Sequence, residues 1–118
     1  DYFVGGFITY SNALKEKLLG VEPGLLERHG AVSPEAARAM AIGARKEAEA
    51  DYALAITGIA GPGGGTPEKP VGLVYVALAD SEGAQAEEYH FFGSREAIRE
   101  RSRVAALNQL RLRLVKQD

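Results

Sequence analysis

A glycine-rich loop is the part of the sequence whose residue types point most directly to chemistry. It runs Thr57-Gly-Ile-Ala-Gly-Pro-Gly-Gly-Gly-Thr66 and follows a short apolar segment typical of a strand. Glycine lets backbone N–H groups converge on an anion, because no Cβ blocks the approach. In open α/β sheets, ligands bind at the carboxyl ends of the strands. We therefore predict an anion or carbonyl site in which Gly58, Gly61 and Gly64 contact the ligand and Thr57 supplies a hydroxyl.

Two common phosphate-binding loops do not fit this segment. No Gly-Lys-Ser/Thr follows the glycines, as a P-loop requires. Thr66 replaces the last glycine of a dinucleotide fingerprint, and Pro67 and Pro70 prevent the helix that both motifs need next. The structural alternative is a long, wide turn without a ligand. We favour a ligand site, since compact long loops are usually functional.

Three side chains outside the loop are further candidates. Tyr10 ends a predicted strand and Lys15 lies in the helix that follows, so both can lean over one sheet edge. A lysine with a lowered pKa acts as a base, and a tyrosine can donate or relay a proton. Arg99, one turn into the last helix, offers a fork of donors for a phosphate or carboxylate. On spacing alone, an aromatic packing contact and a surface lysine explain Tyr10 and Lys15 better than a catalytic pair does. Spacing does not single out Arg99 either, because six other cations share its helix and the tail.

The composition excludes several other kinds of site. The chain has no cysteine and two histidines, His29 and His90, which are too few ligands for a zinc site. Metal binding through carboxylates alone stays open, but no motif in the sequence supports it. No apolar run approaches the ~20 residues that cross a bilayer. The absence of cysteine fits a reducing compartment, and we expect a cytoplasmic protein without a membrane partner.

Charge is distributed unevenly along the chain. From Arg95 onward there are seven Lys/Arg and three Asp/Glu, a balance of +4, although the whole chain carries −2. A basic terminal helix can indicate nucleic-acid binding. No aromatic or loop motif accompanies the charge, so we interpret it as a solvated helix face.

The hydrophobic pattern predicts the elements that position these residues. Strands are expected over residues 2–10, 52–56, 71–79 and 85–92, with a hairpin turn over 80–83. Helices are expected over 13–19, from Ser33-Pro34 to about residue 50, and after the cap Ser94. A short turn is expected over 23–30. The last helix has a predicted inner stripe at Ala97, Val104, Leu107, Leu110 and Leu114.

This order of elements predicts a single α/β domain over residues 1–118. We expect three layers, with a mixed sheet and helices packed on its faces. Because the sequence opens at Asp1 inside a predicted strand, we also expect that upstream residues belong to the same fold.

Several segments together resemble one known family, that of the CinA C-terminal domain. The most specific are Thr57-Gly-Ile-Ala-Gly-Pro62 and Lys69-Pro-Val-Gly72. The remaining matches cover the chain in order: Phe7-Ile-Thr-Tyr-Ser11, Lys15, Leu19-Gly-Val21, His29-Gly-Ala-Val-Ser33, Met40-Ala41, Phe92-Gly-Ser-Arg95 and Arg99.

The resemblance implies a nicotinamide mononucleotide deamidase of bacterial pyridine-nucleotide salvage. Such enzymes hydrolyse the carboxamide of the nucleotide to nicotinate mononucleotide and ammonia. By matching position, Tyr10, Lys15 and Thr57 are implied as catalytic residues and Arg99 as a substrate-binding residue. Family members tend to form homodimers, and some are fused behind a molybdopterin-binding-like domain. The resemblance implies no metal and no cofactor.

One feature of the family is not found in the 118 residues. The resemblance implies a nucleophilic serine in a Glu-Ser-Cys-Thr-Gly-Gly-like segment of an N-terminal helical region, which this chain lacks. We therefore expect an N-terminally incomplete domain. A non-catalytic nucleotide-binding or accessory module of a competence-associated protein is the alternative.

Overall fold

The computed structural model describes residues 4–6 and 24–116 of the chain as an α/β fold. In chain order its elements are β1 (Val4–Gly6), α1 (Leu25–His29), α2 (Pro34–Ala48), β2 (Tyr52–Gly58), β3 (Leu73–Asp80), β4 (Gly83–His90) and α3 (Arg95–Val115). No helix within these residues combines the length and apolar character needed to cross a membrane. Tyr10, Lys15 and the predicted helix over 13–19 lie outside the described residues.

The four strands found among the described residues form one sheet in the order β1-β2-β3-β4. β1 runs parallel to β2, whereas β3 is antiparallel to both β2 and β4. The sheet is therefore mixed, as predicted. The hairpin between β3 and β4 turns where Asp80 pairs with Gly83, which confirms the predicted turn. β1 points toward the end of the sheet at which β2 enters the glycine-rich loop.

Helix α2 covers one face of the sheet through small side chains. It begins at the cap Ser33, whose hydroxyl accepts the Ala36 N–H at 3.1 Å, and ends at Glu49 in the left-handed conformation (φ 51°). Its inner surface is rich in alanine, as are the strand positions opposite it. The buried residues of this cluster are Ala36, Ala37, Met40, Ala41, Ala44, Ala53, Ala55, Ala77 and Ala79.

Helix α3 covers the other face, but not through the stripe predicted from sequence. Ile98, Ser102 and Ala106 are its buried residues, and Ile98 and Ala106 pack on Val74 and Val76 of β3. The polar member of this row is satisfied within the helix, because the Ser102 hydroxyl donates to the Ile98 carbonyl at 2.7 Å.

The predicted stripe was wrong at two of its five positions. Val104 and Leu107 are 56% and 62% exposed. Helical period alone does not tell which apolar row meets the sheet. β3 presents bulky, β-branched side chains here, so the helix faces it with the small residues Ser102 and Ala106. The layer order, α2 on one face and α3 on the other, is nevertheless the three-layer arrangement that was predicted.

Candidate functional site

Thr57 lies at the end of β2, on the α2 face of the sheet. Its side chain is buried, with 6% exposed, and its hydroxyl donates a 2.6 Å hydrogen bond to the carbonyl of Ala31. Ala31 belongs to the short segment between α1 and α2. This bond connects the end of β2 to the start of α2. Because the hydroxyl donates its proton to the Ala31 carbonyl, that proton is not available to a ligand.

Hydrogen bonds join the two limbs of the glycine-rich loop where it leaves β2. The Ile59 N–H donates to the Leu73 carbonyl at 3.0 Å, and the Gly72 N–H donates to the Ile59 carbonyl at 2.7 Å. Farther out, the Thr66 N–H donates to the Lys69 carbonyl at 2.9 Å, and the Thr66 hydroxyl accepts the Lys69 N–H at 3.0 Å. These pairs fix both limbs of the loop and leave residues 62–65 as an exposed tip, whereas Gly61 is buried.

The glycines of the loop differ in the space that surrounds them. A Cβ on Gly58 would lie 2.8 Å from the Leu73 carbonyl oxygen, and one on Gly61 (φ 81°) would lie 2.7 Å from Val71 Cγ1. Both positions therefore require glycine for packing. Gly63 has no neighbour within 4 Å of an added Cβ, and Gly64 (φ 91°) has one only at 3.8 Å. At these two positions the space is open.

Three backbone donors of the tip have no acceptor in the part of the chain that the structure describes. The N–H groups of Gly63, Gly64 and Gly65 donate no hydrogen bond to any described residue. Three consecutive N–H groups in an exposed loop can converge on an anion or a carbonyl oxygen. This part of the predicted site therefore offers donors and room for a ligand.

Three arginines lie in the first two turns of α3, and one of them, Arg95, contacts the loop. Arg95 Nη1 donates to the Gly61 carbonyl at 3.1 Å, and Arg101 Nη1 donates to the Phe92 carbonyl. Arg99 is exposed and has no hydrogen-bond or salt-bridge partner among the described residues. It stands one turn beyond Arg95 on the same side of the helix, and long helical side chains point back toward the N-terminus. Arg99 is therefore the uncommitted cation nearest in sequence to the arginine that holds the loop.

Both long helices begin at this end of the sheet. The N-terminus of α2 adjoins Thr57 through Ala31, and that of α3 adjoins Gly61 through Arg95. Ser33 and Ser94 cap the two helices, as the sequence predicted. Helix N-termini carry positive partial charge. Lys69 adds a further cation, with its Nζ 3.1 Å from the His29 carbonyl oxygen. These groups contribute positive potential to an end of the sheet that also holds the carboxylates Glu35 and Glu88.

A second polar group at this end was missed by the sequence analysis. The Tyr75 hydroxyl donates to Glu88 Oε1 at 2.9 Å, and His90 Nε2 lies 2.8 Å from Glu88 Oε2. The hydrogen bond with His90, followed by that from Tyr75, lowers the pKa of Glu88. Burial, followed by the hydrogen bond to Glu88, raises the pKa of Tyr75. Tyr75 of β3 pairs with Thr57 of β2 on one side and with Glu88 of β4 on the other. Polar side chains therefore lie next to one another across three strands.

A signal for this group was present in the sequence. Residues 88 and 90 alternate along β4 and therefore share a face. The turn at Asp80–Gly83 fixes the register of the hairpin, which pairs Tyr75 with Glu88. Counting outward from the predicted turn would have found the pair.

A groove of about 520 Å³ lies at the opposite end of the sheet, between the β3–β4 turn and the end of α3. None of the predicted site residues lines it. Within residues 4–6 and 24–116, no three His, Asp or Glu side chains are arranged to hold a metal ion.

Comparison with known proteins gives one consistent result. The profile of the CinA C-terminal domain matches residues 1–114. A CinA-like protein of Geobacter sulfurreducens is 56% identical over 114 residues, which are 97% of this chain and 28% of that protein. A CinA-like protein of Geotalea uraniireducens is 57% identical over the same length, 27% of that protein. The chain thus spans about a quarter of these curated relatives.

Solved structures agree with the sequence matches. The competence/damage inducible protein CihA from Agrobacterium tumefaciens superposes with a TM-score of 0.85 at 44% identity, over 89% of this chain and 65% of that one. A competence-damaged protein (CinA) superfamily protein from Escherichia coli gives a TM-score of 0.83 at 39% identity, over 89% and 61%. The chain belongs to the CinA C-terminal domain family.

Proposed function

We propose that this chain is the nucleotide-binding part of a nicotinamide mononucleotide deamidase of pyridine-nucleotide salvage, acting in the cytoplasm. The reaction adds water to the carboxamide and gives nicotinate mononucleotide and ammonia. One observation carries the proposal: free N–H groups of Gly63–Gly65, the uncommitted Arg99 and two helix N-termini gather at one end of the sheet. The family membership supports the same reaction through the resemblance described above.

The substrate has groups that suit these donors. Its phosphate is negatively charged, and Arg99 provides permanent positive charge for such a group. Its carboxamide oxygen becomes an oxyanion when a nucleophile attacks, and preorganised N–H donors stabilise that charge. We assign the phosphate to Arg99 and the carboxamide oxygen to the glycine-rich loop.

The proton-transfer groups are Lys15 and Tyr10. The proposed nucleophile is the serine of the Glu-Ser-Cys-Thr-Gly-Gly-like segment, outside the 118 residues. Its Oγ attacks the carboxamide carbon while Lys15, assisted by Tyr10, takes the Oγ proton and passes it to the departing ammonia. Water then hydrolyses the acyl-enzyme. Lys15 must be neutral for this step, which requires a pKa below the ~10.4 of a free lysine.

A second candidate is a non-catalytic nucleotide-binding module. It is favoured by the contact of Thr57, whose hydroxyl proton is committed to Ala31 and so is not free for transfer. Under this alternative the loop and Arg99 bind the nucleotide for a partner domain. Binding without ammonia release is its signature.

Ammonia release from nicotinamide mononucleotide by the protein with its upstream residues tests the proposal. We expect turnover, a loss of kcat on the order of a hundredfold in Lys15→Ala with little change in KM, and no recovery in Lys15→Arg, because arginine does not release its proton. Absence of ammonia release from a folded, nucleotide-binding protein would instead establish the binding module. Near-normal turnover in Lys15→Arg would remove Lys15 as the base.

A further inference from the structure

The segment Lys69-Pro-Val-Gly72 is the second specific motif of the sequence, and the proposed reaction gives it no role. It follows the tip of the glycine-rich loop and leads into β3. The Leu73 N–H donates to the Pro70 carbonyl at 3.1 Å. The Phe91 N–H donates to the Gly72 carbonyl at 2.9 Å, which joins the segment to the chain just beyond β4. The segment is therefore anchored to the sheet independently of the tip.

The side chain of Val71 lies between the two ends of the tip. A Cβ added to Gly61, the residue before the tip, would lie 2.7 Å from Val71 Cγ1. A Cβ added to Gly65, the last residue of the tip, would lie 2.9 Å from Val71 Cγ2. The two γ-methyl groups of one valine therefore set the distance between Gly61 and Gly65. Val71 is nevertheless 37% exposed, so filling the core does not account for it.

The hydrogen bonds that hold the loop are made by other groups. Gly61 is held from the α3 side, because Arg95 Nη1 donates to its carbonyl. The two limbs are joined by main-chain hydrogen bonds and by the Thr66 hydroxyl. Shortening the Val71 side chain should therefore leave the limbs in place and change the span between them. That span carries the N–H groups of Gly63–Gly65, which donate to no described residue.

We propose that Val71 is a positioning residue, which holds the N–H groups of Gly63–Gly65 in the arrangement that receives the carboxamide oxygen. This inference rests on the proposed function, since it concerns the same donors and the same reacting oxygen. Donors stabilise an oxyanion best when they are already in place as the charge develops. A misplacement of about 1 Å can cost about a hundredfold in rate. The methyl groups of Val71 offer no hydrogen bond to a substrate, so Val71 acts through the tip.

Ammonia release by the protein with its upstream residues tests this role. Val71→Ala should lower kcat on the order of tenfold to a hundredfold and change KM less than about threefold, because the oxyanion forms only in the transition state. Val115→Ala, the same truncation at the far end of α3, is the control and should match the parent. An unchanged kcat in Val71→Ala would overturn the proposal.

Two further variants separate shape from a general loss of packing. Val71→Thr keeps the branched shape, and its hydroxyl can reach water at this exposed position, so kcat should stay within about threefold of the parent. Val71→Ile adds one carbon, which pushes Gly61 and Gly65 apart, and should lower kcat at least about threefold. It replaces Val71→Ala if that variant does not fold. A loss in Val71→Thr as large as that in Val71→Ala, or none in Val71→Ile, would contradict the positioning role.

Amide NMR separates this role from the proposed reaction, since it needs no substrate. The order parameters of the Gly63–Gly65 N–H groups should fall toward the ~0.6 of flexible backbone in Val71→Ala and return to the parent values in Val71→Thr. If the parent releases no ammonia, the deamidase proposal fails, and a fall in these order parameters still supports Val71 as the residue that shapes the tip. Unchanged order parameters in a folded Val71→Ala protein would overturn the positioning role even if the parent is active.

Discussion

Gly61 and Gly63 stand two residues apart in one loop, yet the structure requires glycine at only one of them. Gly61 has φ 81° and would place a Cβ 2.7 Å from Val71 Cγ1, whereas Gly63 would place one in open space. The Gly63 N–H is also one of the tip donors that form no hydrogen bond with a described residue. Gly61 therefore shapes the loop, and Gly63 keeps it approachable.

This contrast separates stability from binding. Gly61→Ala should lower the free energy of unfolding by about 1–3 kcal/mol through its strained backbone. Gly63→Ala should leave stability within about 0.5 kcal/mol but weaken nicotinamide mononucleotide binding roughly tenfold, because the new methyl group meets the ligand. Urea unfolding and calorimetric titration measure the two effects. Normal affinity in Gly63→Ala would show that no ligand approaches this part of the loop.

Thr57 connects two elements, the end of β2 and the start of α2, through its hydrogen bond to the Ala31 carbonyl. Thr57→Val keeps the shape of the side chain but leaves that carbonyl without its donor. It should cost about 1–3 kcal/mol of unfolding free energy, and Thr57→Ser should recover most of it. If Thr57 serves mainly as this tie, the loss of activity in Thr57→Val should follow the unfolded fraction. Activity abolished in a fully folded Thr57→Val protein would assign it a direct catalytic role.

Asp80 connects the β3–β4 turn to the end of α3. Its Oδ2 accepts Arg113 Nη2 at 2.6 Å, and its Oδ1 accepts the Glu82 N–H at 2.8 Å. Burial alone raises the pKa of Asp80, but the hydrogen bonds from Arg113 and the turn outweigh it, so the pKa is lowered. The ionised carboxylate is therefore the form that stabilises the fold.

The lowered pKa gives a sign to the pH dependence. The contribution of Asp80 is fully present above the pKa of the unfolded chain, about 3.9, and is lost as the pH falls through the lower folded value. Asp80→Asn should cost on the order of 1 kcal/mol at pH 7 and progressively less below about pH 4. Unfolding midpoints at pH 7 and pH 3 measure this, with Glu82→Gln in the same turn as the control. A penalty that is constant with pH would mean that the charge is unimportant.

The elements that could be predicted from sequence are those with local signals. Ser33 and Ser94 marked the starts of α2 and α3, and Asp80–Gly83 marked the hairpin. The inner face of α3 could not be predicted, because the choice between two apolar rows depends on the shape of β3. The same limit applies to the site. The glycine loop is local, but Thr57 finds its partner 26 residues earlier in the chain.

On the scale of the whole molecule, the two ends of the sheet carry different groups. Positive groups and uncommitted donors gather at the glycine-loop end, where α2 and α3 begin. The opposite end holds the Asp80–Arg113 pair and the groove beside the β3–β4 turn. Because a small single domain unfolds cooperatively, a ligand that binds the loop of the folded chain should stabilise the whole fold.

This coupling makes the thermal stability of the chain a measure of nucleotide binding. At a hundred times its Kd, nicotinamide mononucleotide should stabilise the fold by about 2.7 kcal/mol and raise Tm on the order of 10 °C. Nicotinamide riboside, which lacks the phosphate, should give a markedly smaller rise at the same concentration. In Arg99→Ala the response to the nucleotide should fall to that of the riboside, while the riboside response stays unchanged.

Lys46→Ala, which removes an exposed cation at the far end of α2, is the control. Equal losses for both ligands in Arg99→Ala would place Arg99 on the part that they share, and no loss for either would remove it from the site.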